Sequence, residues 1–264
     1  MEYEGVLTKM QTEYGNPIQY YLVFESSFLN MNQLLDKRFR IVFRGFQCLN
    51  CSKKKKVFRQ GFCYDCFYTS PAVGDWIMRP ELSTAHTGIA DRDLDYETAV
   101  QLQPHIVYLA LASDVKVGVT RKTQVPTRWI DQGACEALSV VEVPNRYLAG
   151  ITEVALKKYY VDKTNWRKML QNEVLNLDLL VEKTKVYEYL PDEVKPYFNA
   201  DLDEHMVLNY PVLEHPKKVK GLNLDKTNFY EGKLIGIRGQ YLIFHDGTVF
   251  NVRGFEGYAV TISI

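Results

Sequence analysis

The chain is predicted to be α+β, with β-rich ends around a small antiparallel sheet flanked by helices. Three observations predict this. Short runs of β-branched and aromatic residues crowd residues 1–46 and 213–264. Two apolar runs, IVYLALA from Ile106 and VKVGVT from Val115, flank a Ser113-Asp114 turn and lead into a short helical pattern ending at Gly133. Helical periodicity then starts after Asn145 and again after Asn165, and Pro191 stops it.

At the N-terminus, YEGVLTKM, PIQYYLVF and RFRIVFRGF are the strand candidates, with turns at Gly15-Asn16-Pro17 and Asp36-Lys37. The last forty residues echo them. Tyr230–Leu234 parallels Tyr3–Leu7, QYLIF at 240–244 parallels QYYLVF at 19–24, and Phe250-Asn251-Val252 parallels Leu29-Asn30-Met31. YAVTISI closes the second stretch as RFRIVF closes the first. This reads as a degenerate repeat of a β-meander, and the two copies are expected to pack together. Five segments follow: a β-rich 1–46, a cysteine segment 47–70, a connection 71–104, a core with a helical arm 105–212, and a β-rich 213–264.

The cysteine segment has the spacing C-x2-C-x11-C-x2-C, from Cys48 and Cys51 to Cys63 and Cys66. Two C-x-x-C turns supply four thiolates, the set a structural Zn²⁺ takes in a closed tetrahedron, with no position left for catalysis. A redox pair is the alternative. Lys53, Lys54, Lys55, Lys56 and Arg59 lie between the pairs and are expected to offset the thiolate charge. They are also candidates to contact a nucleic-acid backbone, the plainer alternative being a solvated loop. Cys135 stands alone and reads as a small core residue.

Composition narrows the function. Lys plus Arg equals Asp plus Glu at 32 each, so no global charge draws the chain to nucleic acid or acidic lipid. Locally, residues 101–170 hold ten basic against six acidic residues, and 171–206 hold three against nine. No apolar run reaches 18 residues, so no membrane span is expected. The start MEYEGVLTKM lacks signal-peptide layout, so a cytoplasmic location is expected.

In the connection, Trp76–Met78 reads as a short strand and Tyr96–Gln103 as a helical turn or two. Gly118 marks a close approach to the backbone. Thr123 is placed as a helix cap with Pro126 in the first turn, and Arg128, Asp131 and Gln132 share a helical face. Leu138–Val143 is a third strand. Asn145 caps a helix running to about Val161, with Glu153 beside its apolar stripe and in need of a metal or a basic partner. An amphipathic helix is predicted from Asn165 through Leu177 and Val181.

In this order the residues resemble the GIY-YIG nuclease fold over about residues 105–170. Its features are a strand ending in a tyrosine (Tyr108), a second strand ending in glycine (Lys116-Val117-Gly118), a helix bearing an arginine (Arg128), a later helix with a glutamate (Glu153), and an asparagine (Asn165). Lys116 stands where a second tyrosine is usual, and the histidine often found after the arginine is absent. The resemblance implies metal-dependent cleavage of DNA or RNA. Glu153 would hold Mg²⁺ or Mn²⁺, Arg128 would grip the phosphate, Tyr108 would orient or deprotonate water, and Lys116 would add positive charge. Taken whole, the chain also looks like a prokaryotic family with no assigned function. Two other functions stand beside it: a catalytically inactive nucleic-acid-binding module of the same fold, and a protein-interaction scaffold built on the repeated β segments and the acidic 171–206 arm.

Overall fold

A computed structural model describes residues 1–198, 200 and 205–264. Part of the acidic stretch 171–206 therefore lies outside the described residues. The chain forms two compact units. The first is Met1–Thr69, Leu170–Asn172 and Asn209–Ile264, and the second is Ser70–Met169 with Glu173–Leu208.

The N-terminal strands are β1 (Glu2–Val6), β2 (Gln11–Glu13), β3 (Gln19–Val23), β4 (Phe28–Asn30) and β5 (Arg38–Phe46). The cysteine segment adds β6 (Val57–Arg59), β7 (Phe62–Cys63) and helix α1 (Tyr64–Thr69). Next come α2 (Leu94–Gln101), β8 (His105–Leu111), β9 (Val115–Arg121), α3 (Thr127–Asp131), β10 (Glu136–Val143) and α4 (Arg146–Leu156). These are followed by α5 (Trp166–Leu170), α6 (Leu179–Val186) and β11 (Met206–Val207). The chain closes with β12 (Lys220–Gly221), β13 (Phe229–Arg238), β14 (Tyr241–Phe244), β15 (Thr248–Asn251) and β16 (Tyr258–Ser263).

In the first unit a seven-stranded sheet runs β1-β16-β5-β13-β14-β15-β12. Both chain ends therefore enter one sheet. Its middle is two-fold in pattern. Ile41 of β5 faces Ile262 of β16, Tyr230 of β13 faces Ile41, and Tyr3 of β1 faces Ile262. Each outer strand thus sits on the closing strand of the other stretch. The local chemistry matches too. The side chains of Asn30 and Asn251 each cap a 3-10 turn, accepting from the N–H groups of Asn32 and Gly254. Along β5, Phe39 and Ile41 are buried while Arg38 and Arg40 are exposed, the period of a strand with one face on the core.

The second unit holds an antiparallel sheet, β11-β10-β8-β9. β8 is buried along its whole length, as a central strand should be. Val107, Leu109 and Leu111 point to one face and pack with Val117, Leu138, Ala149 and Leu156. Tyr108 points to the other and lies opposite Gly118, with Lys116 opposite Ala110. Gly118 is the close approach its position in an apolar run suggests: a Cβ there would lie 2.5 Å from the Tyr108 hydroxyl.

Residues 71–104 pack as part of the second unit. Several elements differ from the sequence expectation. Asp75–Ile77 is a 3-10 turn, not a strand, because the carbonyls of Trp76 and Ile77 accept from the Arg146 guanidinium (3.0 and 2.8 Å) and need no strand partner. Thr123 lies inside a 3-10 turn, Lys122–Gln124, and Pro126 stands at the cap of α3, outside its first turn. Asn145 does cap α4, accepting from Leu148 N at 2.9 Å, but α4 stops at Leu156. Val161 leaves the helix to bridge β9, its carbonyl accepting from Val117 N at 3.0 Å. The helix predicted from Asn165 is two helices. Asn172 takes a left-handed φ of 58°, which asparagine tolerates, and Leu175 N donates to the Ser113 carbonyl (2.8 Å) where a helical bond would be.

Gly150 on α4 rests against the Pro80–Glu81 backbone: a Cβ would lie 2.2 Å from Glu81 N. The neighbour is main chain, so it cannot yield by rotating a side chain. Gly150→Ala is expected to cost about 1–3 kcal/mol, read as a lower melting temperature. An unchanged melting temperature would show that the 80–81 segment moves freely.

Candidate functional site

In the first unit, the four cysteine Sγ atoms lie within 4.8 Å of one another. Tetrahedral thiolates 2.3 Å from one ion would be about 3.8 Å apart, so a small contraction closes the set on a metal. Among the described residues these four are the one group of three or more His, Cys, Asp or Glu side chains arranged to hold an ion. The chain shapes the site locally. Ser52 N donates to the Cys48 carbonyl (2.9 Å), and Cys63 N donates to Cys48 Sγ (3.2 Å). Ser52 and Gln60 take left-handed φ of 57° and 51°, folding the two knuckles towards each other.

Burial pushes the Cys48 thiol up, but the N–H groups of Cys51, Cys63 and Asn50 outweigh it and bring Cys48 down to about 6. At Cys66 the Asn50 side chain pulls downward, yet burial and the three other sulfurs win and push it to about 12. Four thiolates crowd badly without a cation between them, and the donor set fits a soft, tetrahedral ion such as zinc. Lys53, Lys54, Lys55, Lys56 and Arg59 are exposed around it. Lys55 is paired with Asp65 at 2.6 Å, and Arg59 lies over the Phe58 ring at 5.4 Å.

In the second unit, four of the five residues of the nuclease-like series come together. The Tyr108 hydroxyl accepts from Gln132 Nε2. Burial pushes this phenol up, and the neighbouring Arg128 guanidinium opposes it. Lys116 is brought down to about 8, first by burial and then by Arg128, while Glu153 and Asp162 pull the other way. Burial raises the Glu153 carboxyl, opposed by Lys157, Lys116 and Arg146. Lys157 Nζ lies 3.3 Å from Glu153, so the partner that this carboxylate needs is one turn away, at the C-cap of α4. Burial also lowers Arg146 to about 10, with Glu153 favouring its charge and Arg128 and Arg121 opposing it.

Two features depart from the sequence expectation. Tyr108 is fully buried against Trp129, their ring centroids 5.9 Å apart. A sealed phenol with a raised pKa is badly placed to deprotonate water; it packs on Trp129 and holds the Gln132 side chain. Asn165 is exposed, and its side chain accepts from Lys168 N (3.3 Å) at the start of α5. That is a capping role.

Arg146, Lys157 and Asp162 belong to the cluster but were not singled out from the sequence. Arg146 and Lys157 carried a signal there: they stand seven residues before and four after Glu153, on the same helical face. Asp162 carried none, because the bridge between Val161 and β9 sets its place.

A divalent ion at Glu153 would meet one carboxylate, already paired, amid Lys116, Arg146 and Lys157. Mg²⁺ keeps most of its waters and takes one or two carboxylates together with substrate phosphate, so these residues fit it only when a phosphate arrives with it.

Among the described residues no helix is long and apolar enough to cross a membrane. Residues 36–260 match the model of a family described as "Protein of unknown function (DUF2797)". No curated protein and no solved structure matches the chain.

Proposed function

The chain belongs to the DUF2797 family, and we propose that it acts on nucleic acid, gripping a phosphodiester with Lys116 and Arg128 at the cluster that also holds Arg146 and Glu153. The finer reading is a GIY-YIG-like, metal-dependent endonuclease. What supports it is the electrostatic proximity of Lys116 on β9, Arg128 on α3 and Glu153 on α4, with Lys157 3.3 Å from Glu153. Five cations, Lys116, Arg121, Arg128, Arg146 and Lys157, stand with two carboxylates, Glu153 and Asp162. Such a surplus suits an anion, and a planar guanidinium suits phosphate oxygens. A bound metal would supply charge on the phosphoryl oxygens. The chain's own residues hold the phosphate, with Tyr108 and Gln132 fixing the approach of α3.

The test incubates the full chain with plasmid, single-stranded DNA and RNA, each with Mg²⁺ or Mn²⁺. Cleavage of any one is the expected result. If nothing is cut and nothing is bound, the proposal fails.

A second reading, binding without cleavage, is favoured by the buried Tyr108 and by the Lys157 ion pair on Glu153. It predicts binding that weakens steeply with salt and no cut product.

Lys116 makes either reading pH-dependent. Its ammonium is held near pKa 8, below the ordinary lysine value. Below pH 8 it is charged and helps to hold phosphate; above pH 8 it is neutral. Affinity for a short oligonucleotide, measured by anisotropy, is expected to fall as pH rises through about 8. Lys116→Met should bind more weakly and lose that step, and a step that persists in the variant would assign it elsewhere.

A further inference from the structure

We infer that the cysteine lobe carries a stacking platform for the unpaired bases of a single-stranded nucleic acid. The proposal rests on the nucleic-acid reading above, but it concerns different residues in the other unit.

Four aromatic rings meet on β6 and α1. The Phe58 ring lies 5.2 Å from Tyr64, 5.3 Å from Phe67 and 6.0 Å from Tyr68, and Tyr64 lies 4.8 Å from Tyr68. Tyr64 and Tyr68 are one helical turn apart and so share a face. These rings are not core. Phe58 is 41%, Tyr64 61% and Tyr68 54% exposed. Clustered large aromatics left in water mark a binding surface.

Charge selects the occupant. Lys53, Lys54, Lys56 and Arg59 are exposed in the same lobe, and its one carboxylate, Asp65, is already paired with Lys55. From Cys48 to Ser70 there are five basic residues and one acidic. Four thiolates on a divalent ion contribute −2, so the lobe keeps a net charge of about +2. Arg59 over Phe58 adds a flat cation to the aromatic surface. Rings among cations are the composition that holds single strands, in which base faces are free to stack and phosphates run beside lysines. A duplex hides those faces.

The experiment measures binding, not cleavage, with zinc-loaded full-length chain and labelled twelve-nucleotide oligomers of dT and rU, and a blunt duplex of equal length as comparator. The single strand is expected to bind at least about tenfold more tightly than the duplex. Tyr64→Ala is expected to weaken single-strand binding roughly five- to 150-fold, the range of one base–aromatic stack. Tyr64→Phe and Tyr68→Phe keep the ring and should bind as the parent does. The pair Lys54→Ala and Lys56→Ala should lower the salt slope by about 1.4, two phosphate contacts' worth. One zinc per chain in each variant shows that the lobe is intact. A zinc-loaded Tyr64→Ala/Tyr68→Ala chain that binds like the parent overturns the proposal, as does a preference for duplex. Single-strand binding that depends on Tyr64 and Tyr68 where no substrate is cut, and cleavage by a chain whose binding ignores those rings, are separate outcomes, so either reading can fail alone.

Discussion

Purified protein is expected to carry one zinc ion per chain, and Cys63→Ser is expected to remove it together with the fold of residues 47–69. Outside the cysteines the lobe is held by main-chain contacts such as Gln47 N donating to the Gly257 carbonyl (2.8 Å) and by a small surface packed on Gly257. Its sheet is the short pair β6–β7, and Leu49 and Phe62 are only partly covered. The buried groups at its centre are Cys48, Cys63 and Cys66 themselves. A cluster this small cannot offset the ordering of some twenty residues without cross-links. Structural zinc supplies roughly 10–16 kcal/mol at neutral pH, which is folding free energy for such a lobe. Elemental analysis gives the stoichiometry, and protease cutting within Lys53–Lys56 reports the loss of structure. Because thiolates are the ligands, acid should release the ion as protons compete for the sulfurs. A Cys63→Ser chain that still holds one ion per molecule and resists protease would show that the cysteines are not its ligands.

Glu153→Gln is expected to reduce phosphodiester cleavage by about 10²–10³-fold while leaving nucleic-acid affinity within a few-fold of the parent. The substitution keeps the shape of the side chain and removes its charge. It takes away the one carboxylate of the series that could share a metal with phosphate. Lys157, now without its partner, becomes an additional free cation, so binding should hold or rise slightly. Single-turnover cleavage and anisotropy on the same substrate separate the two effects. Equal cleavage by parent and variant would remove Glu153 from the chemistry and leave the cluster as an anion grip.

What the sequence made legible was local. The four cysteines announce themselves by spacing, because each C-x-x-C pair is one turn of chain and needs no distant residue to shape it. Asn145 caps its helix for a reason carried within four residues. Gly118 in an apolar run signals a close neighbour, though not which one. What was illegible depends on distant partners. Trp76–Met78 looks like a strand by composition, yet Arg146, seventy residues on, takes its carbonyls. The helix from Asn165 looks continuous by pattern, yet Ser113 captures the backbone at Leu175. Tyr108 fits a water-orienting tyrosine by motif order, and only the packing of Trp129 and the Gln132 hydrogen bond reveal a sealed side chain.

The pairing of β5 has a cost during synthesis. Its neighbours in the sheet, β13 and β16, lie roughly 180 residues or more further along the chain. At about 5–20 residues per second, RFRIVFRGF emerges and waits some ten to forty seconds with both edges bare. A bare hydrophobic strand is a template for pairing with another nascent chain. The alternating arginines at 38, 40 and 44 put like charges on any in-register copy of itself, a repulsion that guards the strand until its true neighbours are made.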